Sequence, residues 1–171
     1  MKANPERRDT MNLTIRMLKK YGACIEAVDW AKTQKDKSYK ALFATCIAED
    51  HLDWVNWIIT RLLNNENRVR YAIYAARQVI NIYEDKYPGD DRPRKAIQAA
   101  KKYLKNPSKE NAANTANTAH AAHAAHAAYA AAYAAYAADA ASDAAYKDML
   151  TKILKYGYRL LIKQENEERG K

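Results

Sequence analysis

The stretch Thr118–Tyr146 reads TAHAAHAAHAAYAAAYAAYAADAASDAAY. Alanine fills most of it, and a larger or polar residue returns every third or fourth position. Alanine loses no side-chain entropy in a helix and buries no polar group, so it is the strongest helix former. From Ser108 to Tyr156 there is neither glycine nor proline to interrupt one. The segment therefore predicts helix, and the fold class follows from it.

Residues 109–145 alone would extend more than about 50 Å as one helix, whereas a domain of this length is about 40 Å across. The helix must protrude, bend or break, with Ser142–Asp143 and the NTANT run (114–118) as the natural break points. We expect one long, bent helix. Steps of three turn a helix by about −60° and steps of four by about +40°. From His120 the larger residues therefore spiral around the axis. That pattern predicts a central helix buried on several sides, with Tyr129, Tyr133 and Tyr136 reaching between its neighbours. His120, His123 and His126 fan apart in the same way. They read as packing residues, since helical metal pairs usually sit four apart and no carboxylate follows at fixed spacing.

The remainder of the chain agrees. It has 171 residues, four glycines, four prolines, 13 tyrosines and a single phenylalanine. So few breakers argue for an all-α fold, and the tyrosines must supply much of the core volume. The expected architecture is a single-domain bundle of six to eight helices around the alanine-rich one. Within it, residues 1–50 form N-terminal helices, 50–106 carry the motifs, and 108–165 hold the long helix and a C-terminal helix.

Asp9 or Thr10 can cap a first helix that Gly22 ends. A second places Cys24, Ala27, Val28 and Ala31 on one face, with Trp30 at its border. Ser38 can cap a third, YKALFATCI. Asp50 starts a fourth, HLDWVNWIITRLL, in which Trp54, Trp57, Ile58 and Leu62 fall near one stripe. The paired tryptophans read as core or groove-lining anchors. The fifth helix, RVRYAIYAARQVINIYEDKY, repeats Val69, Ile73, Ala76, Val79 or Ile80, and Tyr83 at helical spacing. Pro88 and Gly89 make a turn, Asp90 or Asp91 can cap, and Pro93 suits the first turn of a sixth helix that ends at Asn106–Pro107.

Cys24 and Cys46 sit in apolar patterns without CxxC spacing and read as buried free thiols of a reducing compartment, hence a cytoplasmic protein. The N-terminus has charges but no apolar core, and no run approaches a membrane span. No phosphate loop, zinc spacing, GxSxG or HExxH is present. His51 lies near Asp50 and Asp53 but reads as a helix-terminal histidine. We therefore expect no enzyme and no cofactor.

The net charge is +9. Residues 61–110 carry 12 basic and six acidic side chains, the largest excess in the chain. Basic charge favours acidic partners, whether nucleic acid or protein. The candidate partner-binding residues are Arg68, Arg70, Asp90, Asp91, Arg92, Arg94, Lys101 and Lys102. For the YPGDDRPR loop the simpler reading is structural: aspartate caps, a proline turn, and Arg92 or Arg94 in an internal ion pair.

Two motifs carry a resemblance. One is Asp53, Trp54 and Trp57. The other is Arg77, Val79, Tyr83, Glu84, Tyr87, Pro88, Asp90, Arg92, Pro93, Arg94, Ala96 and Ile97. With the Ala/Tyr helix that follows, residues 50–146 resemble a family of immunity proteins, the immunity-protein-five-like group. The resemblance implies an all-helical, stoichiometric inhibitor that binds a protein toxin or effector. An inhibitor of a nuclease site usually mimics nucleic acid and is acidic, whereas this chain is basic. Two alternatives follow: a phage-encoded anti-defence inhibitor of the anti-CRISPR kind, and a basic nucleic-acid-binding helical protein.

Overall fold

The structure is a computed structural model that describes residues 12–108 and 140–170, with side chains described from residue 145 in the second stretch. Every regular element among the described residues is an α-helix, and there are seven: α1 Ile15–Tyr21, α2 Ile25–Thr33, α3 Tyr39–Ala48, α4 Leu52–Leu62, α5 Asn65–Lys86, α6 Arg92–Lys105 and α7 Ala140–Arg169. The fold is all-α, as the breaker-poor composition requires. The histidine run and the centre of the alanine segment lie outside the described residues. The chain divides into two compact units, Met1–Leu62 and Leu63–Lys171.

In the first unit, local chemistry sets several of the helix boundaries. Thr14 caps α1, its hydroxyl accepting from Met17 N at 3.2 Å, so the helix starts later than Asp9 or Thr10 would place it. Gly22 ends it in the left-handed conformation, φ 78°. Gly22 N donates to Lys19 O and Ala23 N to Leu18 O, which satisfies two orphan carbonyls. Ser38 caps α3 as expected, accepting from Ala41 N at 3.2 Å. Asp36 Oδ1 in turn accepts from Ser38 N at 2.8 Å, which holds the Asp36 carboxyl below its ordinary range. The Lys37 ammonium donates to the carbonyls of Ala31 and Lys32, placing a cation on the C-terminal end of α2. α3 ends as α1 does, with Asp50 where glycine is usual: its φ is 65°. His51 N reaches back to Cys46 O at 2.7 Å.

α1 packs on α2, and α3 on α4. The buried side chains include Leu18, Val28, Ala31, Tyr39, Leu42, Phe43 and Cys46, with Tyr39 stacked on Phe43. Burying each large one stabilises the fold by about 1.5–3 kcal/mol. α4 buries Leu52, Val55, Ile58 and Ile59. Of the four residues read near one stripe, Ile58 is buried, and Trp54, Trp57 and Leu62 are half-buried. The β-branched Val55, Ile58 and Ile59 take the inner face with Leu52, and the indoles border it.

In the second unit, α5 packs against both α6 and α7. Asn64 caps α5, accepting from Asn67 N at 2.9 Å. Its buried residues are Asn67, Tyr71 and Ile80, while Val69, Ile73, Ala76, Val79 and Tyr83 are half-buried. α7 runs unbroken through Ser142–Asp143, one of the two places where a break would most naturally fall. It buries Ile153, Leu154, Gly157, Leu160, Leu161 and Gln164, a stripe at steps of three and four. Tyr156 of α7 stacks on Tyr74 of α5 with centroids 4.1 Å apart. Tyrosine does supply packing here, as the scarcity of phenylalanine demands.

Candidate functional site

The eight candidate residues fall into three places. Four meet at the corner between α5 and α6. Gly89 has φ 94° and open space where a Cβ would stand, so the turn needs glycine for its backbone angle and not for room. The turn brings Asp90 beneath Tyr83, whose hydroxyl donates to Asp90 Oδ2 at 2.7 Å. Arg92 donates to the same carboxylate from its backbone N at 3.1 Å, from Nε at 2.8 Å and from Nη2 at 2.5 Å. Arg94 forks onto Glu84, with Nε 2.8 Å from Oε1 and Nη2 2.6 Å from Oε2. Asp91 pairs with Lys95 at 2.9 Å. Asp91 occupies the N-cap position of α6 without a capping hydrogen bond, and Asp90 receives the first helical N–H instead.

Electrostatics follows the geometry. The Arg92 guanidinium, then the Tyr83 hydroxyl, hold the Asp90 carboxyl far below the usual carboxylate range. Arg94 lowers Glu84 in the same way, and bonding to Asp90 raises the Tyr83 phenol. The corner is a knot of paired charges tying two helices together. Both arginines are engaged, not one of them.

Arg68 and Arg70 sit at the other end of α5. Arg68 donates to Asn65 Oδ1 at 3.2 Å and to Leu63 O at 3.0 Å, and Arg70 pairs with Glu66 at 2.5 Å. Lys101 and Lys102 are exposed near the end of α6, about 15 Å along the helix from Arg92, and form no ion pair among the described residues. The eight residues therefore make no single site.

A different place has the shape of one. In the first unit, Trp30, Trp54 and Trp57 line a largely apolar pocket of about 280 Å³ whose deeper wall includes Phe43, Cys46 and Ile58. The indoles are held from outside. Trp30 Nε1 donates to Glu49 Oε2 at 2.6 Å. The His51 imidazole stacks on Trp54 with centroids 3.9 Å apart and planes at 15°. The Arg61 guanidinium lies 4.1 Å from the centroid of Trp57. Of the two roles the sequence leaves open for Trp54 and Trp57, core or groove-lining anchor, the half-buried indoles take the second. Their meeting with Trp30, 24 positions upstream of Trp54, depends on tertiary packing that no local spacing reveals.

His51 is indeed helix-terminal, and its Nε2 lies 3.8 Å from the Glu49 carboxylate. Both cysteines are free, but only Cys46 is buried. Cys24 precedes the first turn of α2 as its N-cap residue and is exposed, which corrects the expectation of two buried thiols. Burial, with Glu49 adding to it, pushes the Cys46 thiol up to about 12. Among the described residues, no three His, Cys, Asp or Glu side chains gather to hold a metal, and no helix is long and apolar enough to cross a membrane. No family model matches the chain, and no characterised protein or solved structure is significantly similar to it.

Proposed function

We propose that the chain is a non-enzymatic, stoichiometric inhibitor that binds a protein, a toxin or an effector, in the manner of immunity proteins. The observation that supports this is the pairing of charge on α5 and α6. Arg70, Arg92, Arg94 and Lys95 each meet a carboxylate of the same chain. Phosphate recognition needs cations free to replace counterions along a backbone. A surface of alternating, already paired sign suits a folded partner, for which electrostatic complementarity supplies register and specificity.

A second reading, an anti-defence inhibitor or basic helical protein that contacts nucleic acid, is favoured by the exposed Lys101, Lys102 and Lys105 near the end of α6. Fluorescence anisotropy with mixed-sequence DNA and RNA at about 50 and 200 mM salt separates the two. Submicromolar binding that falls by orders of magnitude between those salts belongs to phosphate contacts and would sink the protein-binding proposal. Absence of nucleic-acid binding, with a one-to-one complex formed with a purified protein toxin or effector, supports it.

A further inference from the structure

All three tryptophans of the chain line one pocket. Its volume, about 280 Å³, lies just under the ~300 Å³ at which small-molecule sites usually begin. That suits a fragment of one ring and a short chain, not a nucleotide cofactor. The walls are preformed: Glu49 pins Trp30, His51 covers one face of Trp54, and Arg61 covers one face of Trp57. A site whose rings are already fixed loses little freedom when it is filled.

Its charge runs against that of the molecule. The chain carries +9, yet no lysine or arginine lines the pocket, and the one charged residue that does is Asp53. Asp53 is exposed and forms no ion pair among the described residues. A second carboxylate, Glu49, stands behind Trp30. Indole faces attract cations, tryptophan most strongly of the aromatic side chains. The guanidinium of Arg61 over Trp57 is an example within the same cluster, and it remains on the solvent side as an exposed residue. An apolar cleft also rejects a wholly polar guest, which would lose its water without replacement.

We infer that the tryptophan pocket of residues 12–62 binds a small organic cation with an apolar ring, of the arylalkylammonium type, with the ring among Trp30, Trp54 and Phe43 and the ammonium toward Asp53. This site is independent of the protein-binding surface proposed above.

Three probes that share a phenyl ring and a two-carbon chain test it on the full chain: 2-phenylethylammonium, neutral 2-phenylethanol and anionic 3-phenylpropionate. Tryptophan emission and the indole N–H resonances report occupancy, since no indole lies elsewhere. The expected result is saturable binding below about 10 mM, tightest for the cation and weakest for the anion. Asp53→Asn, at an exposed position, should narrow the preference of cation over alcohol about threefold, the scale of an exposed charge pair. Ala27→Phe, which fills the pocket from α2, should weaken all binding more than about tenfold. Lack of saturation, equal affinity for the three probes, or an unchanged preference in Asp53→Asn would overturn the assignment. The comparison of probes on the unaltered chain decides it even where a variant does not fold.

Discussion

Gln164 and Asn67, 97 residues apart, share a buried hydrogen bond: Asn67 Nδ2 donates to Gln164 Oε1 at 3.3 Å. The same oxygen accepts from Asn64 N at 2.8 Å. One amide on α7 therefore receives a side chain and the backbone at the start of α5. Gln164→Leu removes the acceptor and leaves buried donors behind. The expected loss is about 1–3 kcal/mol, read from chemical denaturation, because an unmatched buried polar group costs more than its hydrogen bond contributes. A variant within a few tenths of the parent would show that water or another partner replaces the amide.

The corner at Asp90 makes stability depend on acid. Its carboxyl is held below its ordinary value of 3.8 by Arg92 and Tyr83. A group with a depressed folded pKa contributes stability that is present above the unfolded value and lost as pH falls through the folded one. The midpoint of thermal unfolding should therefore drop on acidification below about pH 4. Asp90→Asn should be less stable than the parent near pH 7, with the gap closing toward strongly acid pH. Parallel curves for the two proteins would remove Asp90 from the acid response.

Asp50 offers a test of backbone conformation. Its φ of 65° lies in the left-handed region. Aspartate tolerates that region and glycine prefers it, whereas a β-branched residue is strained there by about 1–2 kcal/mol. Asp50→Gly should leave stability equal or higher, and Asp50→Val should lower it by that amount. Equal midpoints for the glycine and valine variants would contradict the geometry at the end of α3.

The thiols should react unequally. Cys24 is exposed, and Cys46 is buried with its thiol raised to about 12. A thiolate-specific reagent should titrate one group quickly in the native chain and two after denaturation. Cys24→Ser should abolish the fast phase and Cys46→Ser should leave it.

Much of this was legible where the signal is local. Ser38 and Gly22 declare their capping roles by residue type and position, and the scarcity of glycine and proline declares the fold class. The start of α1 was misplaced because aspartate and threonine both cap well, and only the structure shows that Thr14, not Asp9 or Thr10, holds the first turn. The face of α4 was legible only in part, for a different reason. Periodicity identifies a stripe but does not say whether indoles or the smaller Val55 and Ile59 fit the space against neighbouring helices. The pairs of Arg92 with Asp90 and Arg94 with Glu84 were foreseen as a type of contact. The pairing of Arg94 ten residues back needed the turn angle at Gly89. The tryptophan pocket is the least legible feature, since its walls come from segments whose meeting is a property of packing alone.

The confinement of every indole to one unit has a consequence for how the chain reports its own unfolding. Tryptophan emission follows only residues 12–62, whereas far-ultraviolet ellipticity averages over helices of both units. The two signals are thus a built-in local probe and a global one. If they melt together, the chain behaves as one cooperative body. If emission changes first or last, the two units have separate stabilities, and a single melting temperature does not describe the protein.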